Sequence, residues 1–208
     1  MKRELTVEEY LKDPCGSSSL PFWKTNEFEV PADVLICRDD EFDEGLTCGC
    51  DEPYFKMINR LKNVSHPSLP DEYVLSSADA GEIAVHIREC YGKETVTDDE
   101  LRAYAQRSVY DQNLWIAVRE RETGKIIASG VGEFDGRIGE GVLEWIQVSP
   151  DYRHKGFGKI IVCELLERLS TKASFVTVSG RLNSPDDPFS LYEACGFEDP
   201  VTWHIIRK

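Results

Sequence analysis

The sequence predicts an α/β domain in which strands and helices alternate along most of the chain. From Tyr73 onward, short apolar stretches rich in β-branched and aromatic residues alternate with stretches whose apolar residues recur at helical spacing. Residues 141–172 join one such strand to one such helix through a turn with two glycines. Residues 120–125, which include Gly124, are typical of a hairpin turn between two strands.

Residues 1–70 precede this alternating region. Thr6 and Glu9 match a capping box that starts a short helix. Residues 51–62 carry apolar side chains at helical spacing with Pro53 in the first turn, and they predict a second helix.

Residues 63–70 contain two prolines and predict a linker. We therefore expect two domains. Residues 1–70 form an N-terminal extension that packs on, or lids, the domain formed by residues 71–208.

The elements of the second domain follow from apolar periodicity and turn residues. Its predicted strands are residues 72–75, 114–119, 126–134, 142–148, 174–179 and 201–207. Its predicted helices are residues 78–91, 98–109 and 157–169, with a further short helix that ends at Cys195.

The segment 141–172 is suited to binding phosphate. The apolar strand 142–148 ends at Ser149-Pro150, because proline offers no N–H to a sheet. A helix start presents unpaired N–H groups and the positive end of a dipole, and Gly156 and Gly158 allow an anion to approach the backbone. A solvated turn with an ordinary helix cap is the alternative interpretation.

The charge around this turn favours the phosphate interpretation. Three basic side chains and an imidazole lie close together in a chain whose net charge is -14, namely Arg153, His154, Lys155 and Lys159. The Walker pattern is absent, since Ile160 stands where a Ser or Thr would meet magnesium. The dinucleotide pattern also fails, because no third glycine follows Gly158.

Arg153-x-x-Gly156-x-Gly158, placed after a strand that ends in Val-Ser-Pro, resembles the acetyl-CoA loop of the GCN5-related N-acetyltransferase (GNAT) superfamily. The downstream sequence LYEACGF, residues 191–197, resembles the second signature of the same family. The resemblance covers residues 71–208. It implies the acyl-CoA N-acyltransferase fold, with a mixed, mostly antiparallel central sheet and flanking helices, and acetyl-CoA as co-substrate.

The resemblance also implies roles for individual residues. The strand backbone would pair with the pantetheine amides, and the Val148 N–H would face the thioester oxygen. Asn183 would hydrogen-bond pantetheine, and Arg153 would stand at the entrance of the pyrophosphate loop. The strand residues in this set are Ile146, Gln147 and Val148, and the loop residues are His154, Lys155, Gly156, Phe157, Gly158 and Lys159.

Two catalytic residues are predicted. Tyr192 matches the tyrosine with which the family protonates the coenzyme thiolate, although core packing against Phe197 is the alternative. Glu144 is the acid within strand 142–148 and the candidate general base, with a structural salt bridge as its alternative. Glu133, Tyr110 and a relayed water are the alternative general bases.

Composition limits the partners. With 38 acidic and 24 basic side chains, the chain as a whole would repel nucleic acid and anionic membranes, and a cationic amine suits it better. The N-terminus lacks an apolar signal region and no apolar run is long enough to span a membrane, so we expect a cytoplasmic protein. The seven cysteines are expected to be reduced, and Cys48-Gly-Cys50 matches no common zinc module, so no metal is predicted.

The predicted function is N-acetyl transfer from acetyl-CoA to a primary amine, carried by a small molecule or a peptide, by direct attack in a ternary complex. The alternative is a non-catalytic acyl-CoA-binding sensor or scaffold. The acidic run 39–52 is either a solvated loop or a surface that steers a cationic substrate, and residues 1–70 could also form a homodimer contact.

Overall fold

The computed structural model describes residues 4–43, 49–91 and 96–207. It divides into two compact units, a terminal unit of Met1–Arg60 with Thr177–Lys208 and a central unit of Leu61–Val176. The division expected from the sequence, into an extension of residues 1–70 and a domain of residues 71–208, stays a prediction.

Strands and helices alternate along the chain. In chain order the helices are α1 (Val7–Lys12), α2 (Phe22–Thr25), α3 (Ala80–Cys90), α4 (Asp98–Tyr104), α5 (Phe157–Ser170) and α6 (Pro188–Glu193). The strands are β1 (Val34–Arg38), β2 (Cys50–Asn59), β3 (Tyr73–Ser77), β4 (Tyr110–Glu120), β5 (Ile126–Asp135), β6 (Glu140–Val148), β7 (Phe175–Arg181) and β8 (Glu198–Arg207).

The central unit is an antiparallel sheet with helices packed on it. Its strands lie in the order β3-β4-β5-β6, and each neighbouring pair is antiparallel. Ile161, Leu165 and Leu169 of α5 are fully buried, as their helical spacing predicts. Gly130 of β5 allows the close approach of α5, since an added Cβ there would lie 2.6 Å from Ile161 Cγ2.

The prediction of a helix over residues 98–109 is wrong beyond Tyr104. Helix α4 begins after Thr97 in a capping box, as expected, but it ends at Tyr104. The chain then turns so that the carbonyl of Val109 accepts the Phe134 N–H at 2.8 Å, and β4 begins at Tyr110. The helix therefore ends where the chain turns to join the sheet, although the helical spacing of apolar residues continues to residue 109.

The terminal unit contains strands β1, β8, β2 and β7 in that order, and β8 pairs antiparallel with both β1 and β2. The short helix α1 has the predicted capping box. With both units mostly antiparallel and flanked by helices, the mixed α+β class expected from the sequence is confirmed.

The prediction of a helix over residues 51–62 is wrong. This stretch forms strand β2, in which Tyr54 lies opposite Trp203 and Pro53 lies opposite His204. Residues 55–59 are all buried, so this end of β2 is covered on both faces and its burial shows no simple alternation. The apolar residues fit both periods over this short length, and only pairing with a strand about 145 residues away in sequence decides between them.

A buried lysine of β2 anchors the N-terminal segment of the terminal unit. Lys56 is 1% exposed. Its Nζ donates hydrogen bonds to the carbonyls of Pro14, Ser18 and Leu20 at 2.8, 2.9 and 2.7 Å. The Tyr10 hydroxyl oxygen also lies 3.1 Å from Nζ and shares one of these three N–H donors. One ammonium group thus satisfies acceptors from a segment that has little regular structure of its own.

A histidine of β8 lies between two carboxylates. His204 Nδ1 is 2.8 Å from Asp51 Oδ2 and its Nε2 is 3.1 Å from Asp39 Oδ1, and its ring stacks on Phe42 at 3.8 Å. Burial alone would lower the pKa of His204, but the hydrogen bonds to both carboxylates outweigh it and raise the pKa above its ordinary value.

This arrangement predicts a pH-dependent stability. A raised folded-state pKa stabilises the fold fully below the unfolded value of about 6.5, and the contribution is lost as the pH rises through the folded value. We expect His204→Gln to lower the free energy of unfolding more at about pH 5.5 than at about pH 8.5, as measured by urea denaturation. An equal loss at both pH values would contradict the charged form.

Candidate active site

Strand β6 has an irregular register with β5 between Glu144 and Val148, the two residues of this strand that are predicted to take part in the reaction. Ser129 pairs with Gln147 and Val131 with Glu144, so Gly130 of β5 faces two residues of β6. Trp145 accordingly has a φ of 42°, in the left-handed region that non-glycine residues rarely adopt. This geometry is that of a β-bulge, which bends the strand and changes the direction of its later residues.

Beyond the bulge, one edge of β6 points away from β5. The Ser149 N–H donates to the Ile127 carbonyl at 2.8 Å, and Gln147 pairs with Ser129. Backbone groups alternate in direction along an antiparallel strand. The Val148 N–H therefore points to the opposite edge, as a ligand-binding strand requires.

The turn that follows has an open helix start. His154 has a φ of 60° and Gly156 a φ of 88°, and α5 begins at Phe157 without a side-chain cap. A Cβ added to Gly156 would meet nothing within 4 Å. The first N–H groups of this 14-residue helix thus have no side-chain cap, and a helix start of that kind can stabilise an anion.

The side chains of this turn do different things. Arg153 donates from Nε to the Val148 carbonyl at 3.3 Å and from Nη2 to the Cys90 carbonyl at 3.1 Å. His154 and Lys155 are exposed, and Lys155 Nζ donates to the Asp151 carbonyl at 2.8 Å. Phe157 is buried with its ring 4.8 Å from that of Tyr73, so only its backbone can contribute to ligand binding.

The two candidate bases of the central unit differ in environment. Glu144 is half-buried next to the bulge. Glu133 is 2% exposed and forms an ion pair with Arg107 at 2.8 Å. Burial alone would lower the pKa of Arg107, but the hydrogen bond to Glu133 outweighs it and raises that pKa, so the pair is held charged. An ion-paired carboxylate is a poorer proton acceptor, which weighs against Glu133 as the base.

Two predicted residues belong to the terminal unit. Tyr192 of α6 is 6% exposed, and its ring packs edge-on against Phe197 at 5.5 Å and Phe55 at 6.0 Å. Asn183 is exposed in the turn after β7. Both the packing role and the proton-donor role considered for Tyr192 are compatible with this placement.

Aromatic side chains occur in both units. Tyr104, Tyr110 and Trp145 pack against one hydrophobic cluster of the central unit, and the Arg107 guanidinium stacks on Tyr104 at 3.1 Å. Trp203, in the terminal unit, donates its indole N–H to the Cys15 carbonyl at 2.9 Å. His204 is held by its two carboxylates, as described above.

Sequence patterns missed a group of buried polar residues behind β6. His86, Ser129 and Ser149 hydrogen-bond one another in the central unit, and Tyr91 donates to the Ile146 carbonyl at 3.1 Å. No motif marks them, because they lie on three separate elements. Only a polar residue on the inner face of α3, at position 86, could have signalled the group.

Among the residues that the structure describes, no group of three or more His, Cys, Asp or Glu side chains could hold a metal ion. Cys48 of the Cys48-Gly-Cys50 pair and residues 44–48 of the acidic run lie outside the described residues. Within the described part, no helix is both long and apolar enough to cross a membrane.

A protein-family model matches the part of the chain that contains β6 and α5. Residues 110–199 match the family model of the acetyltransferase (GNAT) domain. This match includes β6, the turn, α5, Asn183 and Tyr192. No curated protein matched the chain in the sequence search.

Solved structures share the fold. A GCN5-related N-acetyltransferase from Sphaerobacter thermophilus superposes with a TM-score of 0.63 at 20% identity, over 76% of this chain and 51% of that chain. A Drosophila protein gives a TM-score of 0.61 at 18% identity, over 79% of this chain and 53% of that one. The chain thus spans about half the length of these two structures.

A smaller enzyme also shares the fold. The ribosomal-protein-S18-alanine N-acetyltransferase from Escherichia coli gives a TM-score of 0.51 at 17% identity, over 65% of this chain and 94% of that chain.

The bulged strand, the glycine turn and the uncapped helix start lie within a fold shared with acetyltransferases. Residues 110–199 carry the match to the acetyltransferase (GNAT) domain. That family implies acetyl transfer from acetyl-CoA, and the resemblance recognised in the sequence is confirmed.

Proposed function

We propose that this protein is an N-acetyltransferase that transfers an acetyl group from acetyl-CoA to a primary amine by direct attack in a ternary complex. The observation that carries the proposal is the uncapped start of α5 directly after a bulged strand whose Val148 N–H points away from β5. The GNAT match over residues 110–199 supports the same assignment.

The proposed binding roles follow the order of the chain. The backbone of Ile146, Gln147 and Val148 pairs with the pantetheine arm, and the turn from His154 to Lys159 holds the pyrophosphate. Because Arg153 donates to two backbone carbonyls, its role is to brace the turn at its entrance. Asn183 is assigned to pantetheine.

The proposed chemistry moves two protons. Glu144, directly or through a water, takes a proton from the acceptor ammonium, so that the amine lone pair attacks the thioester carbon. The Val148 N–H stabilises the oxyanion. The C–N bond forms, the C–S bond then breaks, and Tyr192 gives its proton to the departing thiolate. The second proton, released by the attacking nitrogen as it becomes an amide, passes through solvent to restore the Tyr192 phenol.

The acceptor class rests on charge. A net charge of -14 favours a cationic amine, on a small molecule or a peptide, and disfavours nucleic acid and anionic membranes. We propose a cytoplasmic location, since none of the described cysteines, Cys15, Cys37, Cys50, Cys90, Cys163 and Cys195, is joined in a disulfide. Homodimer formation through residues 1–70 stays a prediction.

The test begins with calorimetric titration of the protein with acetyl-CoA, followed by an amine screen that measures release of the CoA thiol. Saturable binding with amine-dependent thiol release supports the enzyme. Binding without turnover on any amine favours the alternative, an acyl-CoA sensor or scaffold. No binding would overturn both.

Tyr192→Phe separates chemistry from binding. Loss of a general acid typically lowers turnover about 100-fold or more, whereas the ring and its packing are kept. We expect kcat to fall by about that factor and the acetyl-CoA Kd to stay within about twofold.

Phe197→Leu is the control, because it disturbs the ring packing around Tyr192 but keeps the phenol. It should lower stability more than turnover. Equal loss of binding and turnover in Tyr192→Phe would leave Tyr192 as a packing residue.

A further inference from the structure

A buried polar network lies at the C-terminal end of β6. It consists of His86 on α3, Ser129 on β5, and Gln147 and Ser149 at the end of β6, and we call it the His86 network. These four residues are 2%, 0%, 2% and 6% exposed. Polar groups so deeply buried are costly unless their hydrogen bonds are satisfied, so a specific role is expected.

Each hydrogen bond of the His86 network can be assigned a donor and an acceptor, in a chain from Gln147 to the Ile126 carbonyl. The Gln147 amide donates to Ser129 Oγ, and Ser129 Oγ lies 2.7 Å from His86 Nδ1. His86 Nε2 lies 2.9 Å from Ser149 Oγ, which in turn lies 3.4 Å from the Ile126 carbonyl. A hydroxyl has one proton to donate. Ser129 therefore donates to Nδ1, and the imidazole carries its proton on Nε2, which donates to Ser149.

The surroundings keep the imidazole uncharged. Burial lowers the pKa of His86 to about 4, and the positive charge of Lys125 acts in the same direction. The other group facing the ring is the Cys90 thiol, with its Sγ 3.4 Å from Nε2. Because a neutral imidazole both accepts and donates, it suits a bridge between two serines on different strands.

The network holds the residues on either side of Val148. Gln147 precedes Val148 and Ser149 follows it, and the Ser149 N–H is itself bonded to the Ile127 carbonyl at 2.8 Å. Directly after α3, the Tyr91 hydroxyl donates to the Ile146 carbonyl at 3.1 Å. The C-terminal end of α3 therefore contacts β6 at its bulge and just after it, where pairing with β5 resumes.

We propose that His86 is a positioning residue for the acyl-CoA strand: by bridging Ser129 and Ser149 it holds the Val148 N–H in the direction of the thioester oxygen. This inference rests on the proposed function. Precise placement of such a donor matters, because a small displacement forfeits its hydrogen bond to the reacting carbonyl. The hydrogen bonds by which Arg153 braces the pyrophosphate turn go to the backbone carbonyls of Val148 and Cys90 and not to the imidazole of His86.

The experiment compares acetyl-CoA with free CoA, so it needs no acceptor amine. Both share the phosphates and pantetheine, but only acetyl-CoA has the thioester oxygen. We expect the wild-type protein to bind acetyl-CoA about 3- to 10-fold more tightly than CoA, which is the usual value of one hydrogen bond. In His86→Phe this ratio should fall toward about 1, while the CoA Kd stays within about threefold.

Two further variants make the result interpretable. Ser149→Ala removes only one hydroxyl of the bridge and is expected to fold, and its ratio should fall in the same sense. Ile83→Ala, on the same helix and fully buried in the apolar core, is the control for lost stability and should keep the wild-type ratio.

The outcomes separate the two proposals. If the wild-type protein binds neither ligand, the proposed function fails. If it binds both but shows no preference for acetyl-CoA, or if His86→Phe and Ser149→Ala keep the wild-type ratio, the positioning role is wrong and the proposed function stands.

Discussion

Gly156→Glu is expected to weaken acetyl-CoA binding by about 100-fold or more, the largest effect of any single change in the central unit. Gly156 has a φ of 88°, so any side chain strains the turn. The space in front of its Cα is open within 4 Å, and it is the space assigned to the pyrophosphate. A carboxylate placed there would repel the phosphates and compete for the N–H groups at the start of α5.

Gly124→Glu provides a matched control. Gly124 also has a positive φ, 72°, and also has nothing within 4 Å of an added Cβ, but it lies in the turn between β4 and β5. Both variants carry the same strain and the same added charge. Calorimetric titration should therefore show near wild-type affinity for Gly124→Glu. Similar affinities for the two variants would remove the phosphate role of the 153–158 turn.

Lys56→Met is expected to destabilise the protein by about 3 kcal/mol. The Lys56 ammonium group is the hydrogen-bond donor to the carbonyls of Pro14, Ser18 and Leu20. Methionine fills a similar volume but donates nothing, so these acceptors lose a charge-assisted partner. The N-terminal segment should also become sensitive to limited proteolysis, because little regular structure holds it otherwise.

Lys12→Met is the control for the loss of one positive charge. Lys12 is exposed at the end of α1, and its replacement should change the free energy of unfolding by less than about 0.5 kcal/mol. Urea denaturation measures both variants. A loss below about 1 kcal/mol in Lys56→Met would show that the carbonyls find other donors.

Local sequence was sufficient for the strand, turn and helix of residues 141–172. Strand β6 ends at Val148 and α5 begins at Phe157, as the proline and the glycines predict. The reason is that proline, paired glycines and helical apolar spacing act over only a few residues. The family resemblance depended on the same short stretch and was recognised for that reason.

Local sequence failed where the choice depended on distant partners. Residues 51–62 have apolar spacing compatible with a helix, yet pairing with β8 makes them strand β2. The buried Lys56 gave no signal, because its acceptors are carbonyls of another segment, which have no sequence identity of their own. The bulge at Trp145 was equally invisible, since it arises from a register shift between two strands.

The sequence by itself therefore determined the fold class, the strand, turn and helix of residues 141–172 and the family resemblance, because these depend on residue types within a few positions of one another. Tertiary structure alone decided that Glu133 is ion-paired with Arg107. It also decided that His86, Ser129 and Ser149 form hydrogen bonds at the C-terminal end of β6. Such contacts join residues far apart in the chain, and only the packing of α3 on β5 and β6 brings them within hydrogen-bonding distance.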